Sequence, residues 1–239
     1  YCDTASVTLS RTAAEGSALS MDLDGDGSTV NGTTYLELDD NERNLMKFCK
    51  ENFKHTIVLL NTSSAMEIGF LDSEEYNVEA CLWIGHPGDA GLVGVGKLIT
   101  GAVNPSGRLV DTWAYDLSTN PTFYNMDNNR YANGQDADNN TFYQYEEGIY
   151  VGYRFFETAD AEGYFDSPAF TGHAFKNGTA AGYEQVVQFP FGFGLSYTTF
   201  EQKIIDSDVK LDAHEQNAVT VRVTNTGSVG GKEVVQLYM

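Results

Sequence analysis

The chain has 239 residues, of which 14 are Lys or Arg and 34 are Asp or Glu, a formal charge of −20. Hydrophobic residues make up 41% and aromatics 13%, enough apolar surface for a packed core, so wholesale disorder is excluded. The acidic balance argues against the phosphate backbone of nucleic acid and against anionic membrane surfaces, both of which select clustered Lys and Arg.

No apolar run approaches the ~20 residues of a membrane span, and no signal peptide is visible. The three cysteines, Cys2, Cys49 and Cys81, are scattered and lack metal-ligand spacing, which reads as buried or free thiols. The chain opens in what reads as the tail of a strand and closes inside another. That pattern predicts a piece of something longer.

In chain order, Ala5–Ser10 is a short β-prone run feeding a polar, Gly-rich loop over 11–34. A helix opens near Leu38, with Asp39 or Asp40 as N-cap and an apolar stripe of Leu45, Phe48, Cys49 and Phe53. His55–Asn61 and Val78–Ile84 are short apolar runs of the kind that form parallel strands buried on both faces. Met66–Tyr76 connects them, and Ala90–Thr100 reads as a second, glycine-weakened helix. This alternation indicates an α/β layered sheet.

Beyond Gly101 the texture changes. Asn104-Pro105-Ser106-Gly107 is a turn, 116–140 is a polar loop, Tyr145–Phe156 is aromatic and β-prone, and 160–184 is a second polar insertion. From about Phe200 the chain turns all-β: Ala218–Asn225 alternates with period two, Thr226–Gly231 is a turn and Glu233–Tyr238 a further strand. This resembles the start of a β-sandwich with two or three of its ~7 strands.

Several short motifs are weak. Gly91–Leu98 imitates a phosphate-binding loop, but Leu98 stands where a magnesium-ligating Ser or Thr is needed. Asp22-Leu23-Asp24-Gly25-Asp26-Gly27 opens like a calcium loop, but its twelfth position is Thr33 instead of a bidentate Glu. A solvated acidic loop is the plainer reading. The four histidines show no metal spacing, and no nucleophile elbow is present, so zinc and serine or cysteine hydrolase chemistry is poorly supported. No cofactor is indicated. Asn31, Asn61, Asn139 and Asn177 stand in glycosylation sequons, a pattern short enough to arise by chance in an Asn-rich chain.

Four longer segments carry more information. They are Ser10-Arg11-Thr12-Ala13-Ala14-Glu15-Gly16, Gly101–Leu109, Tyr145–Arg154 and Phe189–Phe200. In this order they resemble the second and third domains of glycoside hydrolase family 3, which includes β-glucosidases and β-xylosidases. Asn225-Thr226-Gly227 with Gly231–Tyr238 resembles the start of that family's fibronectin type III-like domain. The similarity runs along essentially the whole chain.

The resemblance implies a three-layer α/β sandwich over 1–199, with its N-terminal part missing, followed by the start of a fibronectin type III-like domain over 200–239. It implies a retaining exo-β-glycosidase acting on a β-linked glucoside or oligosaccharide. The Asp nucleophile would come from a barrel domain of the same protein, since no Ser-Asp-Trp-like segment occurs here. Glu15 matches the general acid/base position, with Ala14 replacing the family's first Gly.

Ser17 stands where members often carry a Tyr near the aglycone, so aglycone specificity does not carry over. Arg11 positions Glu15, contacts sugar hydroxyls, or makes a structural ion pair; the motif alone leaves all three open. The remaining motif residues read as architectural, with Arg154 paired to a carboxylate. These 239 residues alone are expected to show negligible glycosidase activity, and robust turnover of an aryl β-glucoside by the isolated chain would sink that expectation. The Ala14 and Ser17 substitutions also allow a non-catalytic carbohydrate-binding or scaffold module.

Overall fold

A computed structural model describes residues 2–11, 34–123, 144–170, 182–209, 214 and 217–238. The chain forms two compact units, 1–87 with 111–191 and 88–110 with 192–239.

The first unit is built on a parallel three-stranded sheet in the order β1-β2-β3, comprising Thr4–Ser10, His55–Asn61 and Ala80–Trp83. β1 and β2 align over their full length, from Thr4 opposite His55 to Ser10 opposite Asn61. The central strand β2 buries Thr56, Val58, Leu59 and Leu60, as its near-continuous apolar run requires. β3, like β1, is an edge strand of this sheet, with Ala80 and Cys81 exposed. Cys2 and Cys81 are exposed free thiols, and Cys49 is buried.

Helix α1, Asp40–Asn52, packs on β1 and β2. Asp39 is its N-cap and forms a capping box with Glu42: the Glu42 amide donates to Asp39 Oδ1 (2.7 Å), and the Asp39 amide donates to Glu42 Oε2 (3.0 Å). The buried residues of α1 are Met46 and Cys49, whereas Leu45 and Phe48 are exposed. The expected stripe is therefore rotated on the helix. Met46, one position on from Leu45, is the fully buried residue of that turn.

The largest correction falls on Tyr145–Phe156. In place of a β segment, the chain turns and enters helix α3, Tyr153–Ala161, through Gly152 at φ +57. Aromatic propensity for strands gives way to packing, because Phe156 and Ala159, three residues apart, bury one helical face. That face packs into a cluster with Phe165, Val186, Val187 and Ala114. The short antiparallel pair β4–β5, Trp113–Ala114 with Val187–Phe189, holds the cluster's other side. Arg154 lies over the Tyr153 ring at 5.3 Å, and among the described residues it makes no ion pair with a carboxylate.

The second unit contains α2, Gly88–Ile99, and an antiparallel pair, β6 Phe200–Asp208 with β7 Ala218–Asn225. Glu233–Tyr238, expected as a strand, forms none. It has no ladder partner among the described residues, and side chains hold its start: Gln202 donates to Glu233 Oε1 (2.9 Å) and to the Val234 carbonyl (3.2 Å).

Here two of the sequence motifs and the Thr226–Gly231 turn meet at Asn104. Its Oδ1 accepts from Ser196 Oγ (2.9 Å) and from the Tyr197 amide (2.8 Å), and its Nδ2 donates to the Gly230 carbonyl (3.0 Å). Gly194 is required by close approach, since a Cβ there would stand 2.4 Å from the Gly107 carbonyl oxygen.

Candidate active site

In open α/β sheets, ligand sites form beyond the carboxyl ends of parallel strands. Arg11 occupies that position after β1, where its amide donates to the Asn61 carbonyl at the end of β2 (3.2 Å). Asn61 also donates from Nδ2 to Ser10 Oγ (3.3 Å), so the two strand ends are tied together.

The Arg11 side chain is 4% exposed, and its guanidinium is saturated. Nη1 donates to Glu42 Oε1 (2.7 Å) and to the Ser10 carbonyl (2.8 Å). Nη2 donates to Glu42 Oε2 (2.8 Å) and to the Glu37 carbonyl, and Nε donates to the Tyr35 carbonyl. All five N–H donors of the group are thereby used. The Tyr35 ring lies 5.3 Å from the guanidinium carbon, within cation–π range. Among the three roles left open for Arg11, the observed contacts are those of an ion pair with main-chain anchoring.

The acceptors at Tyr35, Glu37 and Glu42 come later in the chain, at least 24 residues beyond Arg11. The Glu37 side chain also accepts from the Thr34 amide (2.8 Å). Glu15 and Ser17 lie outside the described residues, as do the calcium-like segment Asp22–Gly27 and the sequons at Asn31, Asn139 and Asn177. Among the described residues, no group of three or more His, Cys, Asp or Glu is arranged to hold a metal ion, and no helix is long and apolar enough to cross a membrane.

Beyond β2 the chain is held by Thr62, fully buried, whose hydroxyl donates to the Ser64 carbonyl (3.0 Å). The Trp83 indole donates to the Thr62 carbonyl (2.7 Å) and packs edge-on against Trp113 at 5.5 Å. Glu67 follows. Its amide donates to the Leu36 carbonyl (2.8 Å), and its carboxylate accepts from the Leu117 amide (2.9 Å).

Burial pushes the Glu67 carboxyl up to about 7, and the negative charges of Asp116 and Glu37 add to the rise. Sequence reasoning missed Glu42 and Glu67. The Asp39–Glu42 spacing of a capping box could have marked Glu42. Glu67 carries no such signal beyond a lone acid between Met66 and Ile68.

The sequence profile described as the Glycosyl hydrolase family 3 C-terminal domain matches residues 2–153.

The chain belongs to glycosyl hydrolase family 3.

It is 33% identical over 237 residues to a beta-glucosidase of Ruminococcus albus, covering 99% of this chain and 20% of that protein. It is 30% identical over 262 residues to beta-glucosidase A of Butyrivibrio fibrisolvens, covering 100% of this chain and 28% of the relative. Among solved structures, a beta-glucosidase from Paenibacillus barengoltzii superposes with a TM-score of 0.67 at 27% identity, over 95% of this chain and 20% of that one. A beta-glucosidase from Kluyveromyces marxianus in complex with glucose gives 0.56 at 26% identity, over 80% of this chain and 18% of that one. The chain thus spans between 18% and 28% of the length of these relatives. The α/β architecture read from the sequence agrees with this family.

Proposed function

We propose that this chain is the acid/base-bearing portion of a retaining exo-β-glucosidase acting on terminal β-linked glucosides. The observation that carries the reading is similarity to named beta-glucosidases over 99% and 100% of the chain, including the segment after β1 that contains Glu15. In this reading 1–199 belongs to the α/β sandwich and 200–239 begins a fibronectin type III-like domain.

Retaining hydrolysis needs two carboxyls ~5–5.5 Å apart, one as nucleophile and one as proton donor. Glu15 is the donor. It protonates the leaving glycosidic oxygen while the Asp nucleophile, carried by a barrel outside these 239 residues, forms the glycosyl-enzyme bond. Glu15, now ionised, then takes a proton from the water that hydrolyses that bond. Ser17 lies on the aglycone side, and Arg11 anchors the start of the segment that carries both residues.

The experiment is Glu15→Ala in the full-length enzyme. It should slow poorly activated glucosides strongly, and azide should restore part of the rate on activated ones by replacing the water that Glu15 would activate. Unchanged kinetics would refute the assignment.

A further inference from the structure

We infer that the segment Tyr145–Val151 and the cleft beside it form the docking surface for a Lys- or Arg-bearing stretch of the same polypeptide lying outside these 239 residues. The inference rests on the part of the reading above in which this chain belongs to a longer enzyme.

Apolar residues exposed singly are ordinary, whereas clusters of them mark interaction sites. Tyr145 and Ile149 are 83% and 68% exposed, and Tyr150 and Val151 are exposed beside them. Local backbone bonds hold this patch in place. The Gly148 amide donates to the Tyr145 carbonyl (3.3 Å), the Tyr150 amide to the Glu147 carbonyl (3.0 Å) and the Val151 amide to the Ile149 carbonyl (3.0 Å). Gly148 and Gly152 both sit at φ +57, a conformation that glycine adopts without strain. Successive turns therefore present the patch already ordered, which lowers the entropy cost of covering it.

Charge narrows the occupant. Tyr150 lines a cleft of about 400 Å³ together with Phe155 and Tyr164, and Glu146, Glu147 and Glu162 line it too. Among the described residues, no Lys or Arg pairs with Glu146 or Glu162. The rings offer apolar contact and a negative π-face, and ionised carboxylates accept hydrogen bonds without donating any. The cleft therefore suits a cation carried on an apolar stem, as in Lys and Arg. Interfaces bring patches of opposite sign together, and this chain, with 14 basic residues against 34 acidic ones, has few cations to offer. A second copy would bring mostly the same sign. The relatives named above are much longer, this chain spanning 20% and 28% of the two beta-glucosidases, so the remainder of such a polypeptide can supply the Lys or Arg.

The test is hydroxyl-radical footprinting of the full-length protein, with mass spectrometry reading oxidation at Tyr145, Ile149 and Tyr150 and the urea-unfolded protein as reference. All three should be oxidised far more slowly in the native protein than in urea, and equally so at high and low protein concentration. Glu146→Lys combined with Glu162→Lys should return them most of the way to the unfolded rate, in a variant whose circular dichroism matches wild type. Native wild-type rates close to those in urea overturn the inference, because nothing then covers the patch. Protection lost on dilution gives the surface to a second copy, and protection unchanged in the double variant removes the basic partner; either result also overturns it. Should the double variant not fold, the wild-type rates and their concentration dependence decide. No turnover is read, so an unchanged Glu15→Ala variant would sink the acid/base role and leave this result standing.

Discussion

Arg108 and Glu233, 125 residues apart, meet at 2.6 Å with side chains only 13% and 14% exposed. The pair joins two distant stretches of the second unit, and Gln202 occupies the other oxygen of the carboxylate. Glu233→Ala leaves the Arg108 cation mostly buried and unpaired, so it should destabilise by about 3 kcal/mol. Replacing both residues with methionine should cost clearly less than the single change, because no charge is then stranded. Denaturant unfolding of the two variants checks this; equal losses would show that the pair acts only through packing.

Glu67 makes stability depend on pH. Its folded-state value of about 7 lies above the ordinary 4.5, so the folded protein holds this proton more tightly than the unfolded chain does. Stability from this group is therefore complete below about pH 4.5 and declines as pH rises through about 7, by at most about 3 kcal/mol. Glu67→Gln keeps an acceptor for the Leu117 amide without the charge. It should match wild type near pH 5 and melt higher at pH 8. A difference between the two that does not change over this range would contradict the proposed cause.

Two glycines should respond to alanine with opposite signs. At Gly194 a Cβ meets the backbone oxygen of Gly107 at 2.4 Å, an atom that cannot swing aside. Gly194→Ala should lower stability by about 1–3 kcal/mol as the two segments are pushed apart. Gly96 lies within α2 with nothing within 4 Å of its would-be Cβ, so Gly96→Ala should raise stability by about 0.5–1 kcal/mol. Thermal melts of the two variants give the sign directly.

The sequence was most legible where local chemistry decides the outcome. His55–Asn61 was read to the residue because an uninterrupted apolar run with β-branched members has one good home, the centre of a parallel sheet. The Asp39 cap was narrowed to two candidates because orphan amides at a helix start select a short acceptor side chain. The same local reading failed over Tyr145–Phe156, where aromatic residues suited a strand and distant Phe165, Val186 and Val187 made a helix from Tyr153 onward the better burial.

The sequence by itself determined the family, through long motifs in fixed order, and with it the expectation for Glu15. Only the tertiary structure decided what Arg11 touches. Its five acceptors come from positions 10, 35, 37 and 42, and the spacing of an isolated Ser-Arg motif contains no information about which carbonyls folding will bring within 3 Å of a guanidinium. The same holds for Glu67, whose proton affinity is set by burial and by neighbours at Glu37 and Asp116 that chain order leaves far apart.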